Sequence, residues 1–177
     1  MAWGPSSGEL GVVSAPLTSP DTLPDFEDLW RTYSTAPERL ASAVRGLTDA
    51  QADQVGAVGA STVRLAVARL VDEELVSAVI VRRLLAEPGA DLPDHDADAW
   101  LDAAAGAVRL DAAVQAFTGL RRLAAELMRE LPEPAWLHNA MHPRLGRVTL
   151  AHHFLGRTTQ TEAAIAEILA GRRARTW

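Results

Sequence analysis

Apolar residues recur at helical spacing in four stretches of the chain, and no stretch alternates convincingly enough to read as a strand. The longest is Ser61 to Leu85, STVRLAVARLVDEELVSAVIVRRLL, capped by Ser61 or Thr62 and closed by Pro88-Gly89. A helix advances roughly 100° per residue, so side-chain directions follow from position. With Arg69 as origin, Thr62, Leu65, Asp72, Glu73, Val76 and Ile80 fall within about 60° of it. Arg64, Glu74 and Arg82 project to the other side, where solvent is expected. Arg69 therefore sits on a mixed face, among apolar residues and with two carboxylates one turn ahead.

The other elements follow from their punctuation. Residues 1–20 are rich in Gly, Ser and Pro without a period, and read as a mobile or draped tail that Trp3 and Val12-Val13 could anchor. Helical signal begins near Asp21, with Phe26, Leu29, Trp30 and Tyr33 on its apolar side. Pro37 and the capping-box spacing of Thr35-Ala-Pro-Glu38 predict a kink or a restart there. Leu40, Val44 and Leu47 carry the inner stripe beyond that point. Asp91 to Asp98 is an acidic loop, read as a solvated linker in which His95 is exposed. Trp100 begins a short helical stretch. A third long helix is expected from a cap at Asp111 to Leu131, its buried stripe being Val114, Phe117, Leu120, Leu123 (or Ala124) and Leu127. After the loop EPAWLHNAMHPRLGR, a fourth helix runs from about Thr149 to Ala170. Four long helices without a sheet predict an all-α four-helix bundle spanning 21–172, with 173–177 as a C-terminal tail.

Composition narrows the chemistry. With 177 residues, 48% hydrophobic and 23% charged, the chain reads as one globular domain. Its net charge of −6 and its lack of a basic run argue against a nucleic-acid binder. All 17 basic residues are Arg, which excludes lysine Schiff-base and lysine-base mechanisms. No Cys is present, so thiolate nucleophiles, disulfides and Cys-ligated metals are excluded too. No uncharged apolar run is long enough for a membrane span, and the N-terminus has no signal-peptide pattern. A cytoplasmic, bacterial-type protein is the expectation.

The fourth helix repeats the pattern of the second. With Arg157 at zero, Leu150, His153, Thr161, Ala164 and Ile168 lie within about 40°. Two helices thus each offer an Arg toward one interior, where an unpaired charge costs several kcal/mol. Asp72 and Glu73, at i+3 and i+4 from Arg69, are the nearest partners in sequence. Three arrangements stay open at this stage: an ion network that closes the interior, a cationic pocket for an anionic small molecule, or one or both Arg reaching solvent.

Several landmarks taken together resemble the DinB-like family, over roughly Phe26 to Leu169. They are Ser61-Thr-Val-Arg and Leu70-Val-Asp-Glu-Glu-Leu75, Trp100, Phe117-Thr-Gly-Leu-Arg-Arg122, Leu131-Pro-Glu-Pro-Ala-Trp136, His142-Pro-Arg-Leu-Gly-Arg-Val-Thr-Leu150 and the run through Ala164-Ile165. The resemblance implies an up-down-down-up bundle, often dimeric. It also implies a divalent metal held by one His of the second helix and an H-x-x-x-H pair of the fourth, serving thiol-dependent transferase, isomerase or hydrolytic chemistry. This sequence departs at those ligands: the family's His positions fall on Arg69, Arg157 and Thr161. A guanidinium stays protonated and has no lone pair to give.

The expectation is therefore a bundle without a metal or other cofactor, with Arg69, Arg157, Thr161, His153, Asp72 and Glu73 as pocket candidates for a small anion. Two alternatives remain: a degenerate member with a structural or protein-contact role, including as a homodimer, or a metal-independent thiol transferase or hydrolase using His153 as general base. Nucleic acid and membrane are not expected as partners. His142 is read as a loop landmark.

Overall fold

Helix α1 (Phe26–Val44) starts at Asp25, whose carboxylate accepts the Asp28 N–H at 3.0 Å. In this computed structural model, which describes residues 25–56, 58–59, 61–104 and 108–177, α1 runs through Pro37 without a break. The expected kink or restart is absent: the Thr35 hydroxyl bonds back to the Arg31 carbonyl and caps nothing. Pro37 is buried, so packing on its face holds the turn whose amide hydrogen bond it cannot make. The N-terminal tail and the proposed start at Asp21 lie outside the described residues.

A short helix α2 (Asp49–Ala52) carries a capping box between Thr48 and Gln51. Helix α3 (Val63–Ala86) is capped by the Thr62 hydroxyl on the Leu65 N–H. Helix α4 (Ala97–Ala104) follows the acidic loop, and α5 (Leu110–Glu130) begins after Arg109 with no side-chain cap, not at Asp111. A 3-10 turn (Glu133–Leu137) then leads into an antiparallel hairpin, β1 (Asn139–His142) with β2 (Gly146–Thr149), in the register Ala140↔Val148. No strand was expected here. Gly146, at φ +70°, supplies the left-handed residue at the hairpin turn. Thr149 caps α6 (Leu150–Arg175), which runs five residues past its expected end. The Arg172 and Arg175 side chains explain the extension, because they donate to backbone carbonyls of Ala43, Arg45 and Gly56.

The four long helices form a ring in which α1 and α3 are each flanked by α5 and α6. Their directions follow from who meets whom. Trp30 reaches Ala125 and Glu38 reaches Arg122, so α1 and α5 are antiparallel. Arg64 reaches Val108 and Glu74 reaches Arg121, so α3 and α5 are parallel. Arg39 pairs with Glu162 and Ala43 with Arg172, so α1 and α6 are parallel. The order is up-down-down-up, as the motifs implied. Among the described residues no helix is long and apolar enough to cross a membrane.

The core is divided in two. One apolar half gathers Leu29, Leu84, Met128, Trp136, Leu150 and Phe154, and the other gathers Leu40, Val67, Leu70, Phe117, Ile165 and Ile168. On every long helix the break between the halves falls at the same level, next to Tyr33, Glu74, Arg121 and Arg157. The observed stripe of α5 is Ala113, Phe117, Arg121, Ala125 and Met128, so Leu123 is 53% exposed where burial was expected.

Candidate functional site

The level between the two halves is a belt of buried charge. Arg121, on α5, is fully buried and touches every other long helix. Its Nη2 donates to Glu74 Oε1 at 2.6 Å on α3 and to Thr161 Oγ1 at 2.7 Å on α6. Its guanidinium stacks 3.9 Å from the Tyr33 ring centroid on α1. Tyr33 donates its hydroxyl to Glu74 Oε2 at 3.2 Å, and burial pushes its pKa up, so it stays protonated. Arg157 adds a second cation, with Nη2 at 3.2 Å from Glu74 Oε1 and Nη1 at 2.9 Å from Glu73 Oε2. Two guanidiniums against two carboxylates leave the belt without net charge, which is the condition for burying it.

This belt corrects the reading of α3. Glu74, expected in solvent, is 2% exposed, while Arg69 is exposed and pairs with Asp98 of α4. The buried residues of α3, Val67, Leu70, Glu74, Ser77 and Val81 among them, centre about 100° round the helix from Arg69. Arg69's partner is thus neither Asp72 nor Glu73. Asp72 is half-buried, and its carboxyl pKa is raised by burial and by Glu73. Arg157 and Thr161 do face the interior as expected, but Thr161 is spent on Arg121 and on the Arg157 carbonyl.

A cavity of about 800 Å³ opens on one side of the belt, between α3, α6, the 91–98 loop and the hairpin turn. Of the six sequence candidates it brings together Arg69, Glu73, His153 and Arg157; Asp72 and Thr161 do not line it. Val76, Ile80, Leu92 and Val148 supply an apolar wall. On the floor, His153 Nε2 lies 2.7 Å from the Ser77 hydroxyl. Burial, and then the positive charges of Arg157 and Arg121, push the His153 pKa down to about 3, so the ring is neutral at pH 7.

Sequence reasoning missed several members of this site. Arg121 follows Phe117 by four residues and so stood on the buried stripe all along. Ser77 stands one turn from Glu73. His95, expected to be exposed, is half-buried against the Trp100 ring at 5.4 Å, with Nε2 4.0 Å from Glu73. Both of its ring nitrogens are buried without a hydrogen-bond partner among the described residues. His142 does close the hairpin turn as a structural residue, and it also lines the cavity, as does His152.

Fold and site together define an up-down-down-up four-helix bundle with a charged belt and a lateral cavity. The chain is similar in structure to YfiT from Bacillus subtilis, described as a probable metal-dependent hydrolase with an unusual four-helix bundle topology: TM-score 0.82, 21% identity, 89% of this chain and 92% of that one covered. That likeness establishes the DinB-like fold. No family model and no curated protein matches the chain.

The three-His metal set that the resemblance implies does not fit the residues standing in its place. Arg157 is a cation with its donors already committed to Glu73, Glu74 and Gln160, Arg69 is a cation paired with Asp98, and Thr161 bonds Arg121. Among the described residues no three His, Asp or Glu gather closely enough to hold a metal ion.

Proposed function

We propose that this protein binds a small anionic molecule in the cavity between α3, α6 and the hairpin. The observation that carries the reading is that Arg69, Arg144 and Arg157 line one cavity beside an apolar wall. Arg157 stands on the cavity floor beside His153, and Arg69 and Arg144 stand at its rim, so three guanidiniums line the space and each has the planar fork that suits a carboxylate or phosphate. The apolar wall of Val76, Ile80 and Leu92 suits the carbon skeleton of such a ligand, and the volume is in the range of small-molecule sites.

The structural alternative accounts for the belt and not for the cavity. Arg121, Glu74 and Tyr33 serve the packing of four helices, and the cavity beside them is a separate feature. The hydrolytic alternative, with His153 as general base, is disfavoured by the low pKa of that ring. A ring that releases its proton near pH 3 is a poor proton acceptor at pH 7.

The test is a thermal-shift and calorimetric screen of small aliphatic and aromatic carboxylates and phosphate monoesters. At least one class should raise Tm in a concentration-dependent way, as ligand linkage requires. Arg69→Ala, at the exposed rim, should fold normally and weaken that binding several-fold, more so at low salt. A panel without any stabilising member at millimolar concentration would overturn the proposal.

A further inference from the structure

Two imidazoles on the hairpin side of the cavity each have Nδ1 engaged by a local partner, for two different local reasons. His142 Nδ1 accepts the backbone N–H groups of Arg144 and Leu145, at 3.2 and 3.3 Å. A nitrogen that accepts N–H groups holds its lone pair, so the hydrogen of the neutral ring sits on Nε2. Burial lowers the His142 pKa and keeps that neutral form at pH 7.

His152 is met at the same nitrogen by its helix cap. Thr149 Oγ1 accepts the His152 backbone N–H at 3.3 Å and lies 2.7 Å from His152 Nδ1. The hydroxyl hydrogen finds its acceptor in Nδ1, which again sends the ring hydrogen to Nε2. His152 Nε2 is buried and has no partner among the described residues. An N–H left so costs free energy that an arriving acceptor recovers.

The arginines of the cavity are differently placed. Arg69 is paired with Asp98, Arg144 with Asp94 and Arg157 with Glu73. Each of these guanidiniums is engaged with a carboxylate. Free ring nitrogens remain on His142 and His152, and on His95 across the cavity, where Glu73 Oε1 lies 4.0 Å from His95 Nε2 and disfavours an anion.

We infer that His142 and His152 are the ligand-recognition residues of this cavity, two Nε2–H donors that receive the oxyanion group, carboxylate or phosphate, of the bound molecule. This rests on the anion-binding reading given above and adds the atoms that make the contact.

Long-range 1H–15N spectra of the unliganded protein at pH 7.5 should show both rings as Nε2–H tautomers. Titration with benzoate in one arm and inorganic phosphate in the other should shift the Nε2 resonances of both, and whichever arm saturates identifies the oxyanion. His142→Phe and His152→Phe should each weaken that probe about tenfold, the loss expected for one charge-assisted hydrogen bond. Two results would overturn the inference and leave the anion site standing: a probe that binds both Phe variants as tightly as wild type while still responding to Arg69→Ala, or an Nδ1–H tautomer at either ring before any ligand is added. A wild-type protein in which neither probe moves any cavity resonance overturns both the inference and the binding proposal. The tautomer measurement needs no variant, so misfolding of a substituted chain leaves it intact.

Discussion

Arg121 and Glu74 meet at 2.6 Å in the centre of the bundle with both side chains shut off from solvent. Breaking such a pair from one side strands a buried charge, and that costs about 3–5 kcal/mol. Glu74→Leu should therefore lower the free energy of unfolding by about that much, and Arg121→Met similarly, both read from urea midpoints. The Glu74→Leu/Arg121→Met double variant should be more stable than either single, because no lone charge remains from that pair. Additive losses in the double variant would show that the two side chains do not depend on each other.

The C-terminal turns of α6 are expected to matter more than their position suggests. Arg172 Nη1 donates to the Ala43 carbonyl at 2.6 Å and to the Arg45 carbonyl at 3.0 Å, closing the end of α1. Arg172→Ala leaves those carbonyls to water and should cost about 1–2 kcal/mol. Removing 172–177 should cost at least as much. A truncated chain with an unchanged urea midpoint would mean that α6 is held from Leu150 to Gly171 alone.

Pro37 offers a substitution in the stabilising direction. It is the twelfth residue of a continuous α1, where it denies the Tyr33 carbonyl its amide partner. Pro37→Ala restores that hydrogen bond and relieves the ring's crowding of the preceding turn. Some buried ring surface is lost in exchange, so the net gain should be about 1 kcal/mol, seen as a higher Tm. A fall in Tm would show that the ring's packing outweighs the missing bond.

The helices were legible because apolar spacing survives one or two polar intruders. The cap at Thr62, one of two hydroxyls offered there, was legible because a hydroxyl before an apolar run has one local use, and the start of the last helix near Thr149 was legible too. What resisted was the direction of α3. Periodicity counts a charged residue as solvent-facing, and Glu74 is buried only because Arg121, Arg157 and Tyr33 arrive from three other helices. The same blindness turned the stripe of α5 toward Leu123 and away from Arg121. The hairpin was missed because strands of four residues leave too little alternation to detect, and its identity lies in the Ala140↔Val148 register and the positive φ of Gly146. At the site, Arg157 and His153 were found by helical projection. His142 and His152 become functional candidates only through contacts of their Nδ1 atoms, which no spacing encodes.

His153 gives the fold a pH dependence whose sign can be worked out. Its pKa is near 6.5 in an unfolded chain and is pushed down to about 3 in the bundle, by burial and by Arg157, Arg121 and His142. Between those two values the unfolded chain binds more protons than the folded one, so stability rises with pH across that window and is lost as pH falls through it. The slope is about 1.4 kcal/mol per pH unit well below 6.5. Asp72, with its pKa raised, acts in the opposite sense but only nearer the carboxylate range. Urea midpoints of the wild-type protein should thus drop between pH 7 and pH 5, with His142 adding to the fall because burial lowers its pKa too. His153→Phe keeps an aromatic ring on the floor and removes the titrating group, so its midpoints should fall less steeply over the same range. Equal slopes in the two proteins would mean that His153 is protonated in the native state at pH 5, and that burial and the two guanidiniums do not hold its ring neutral there.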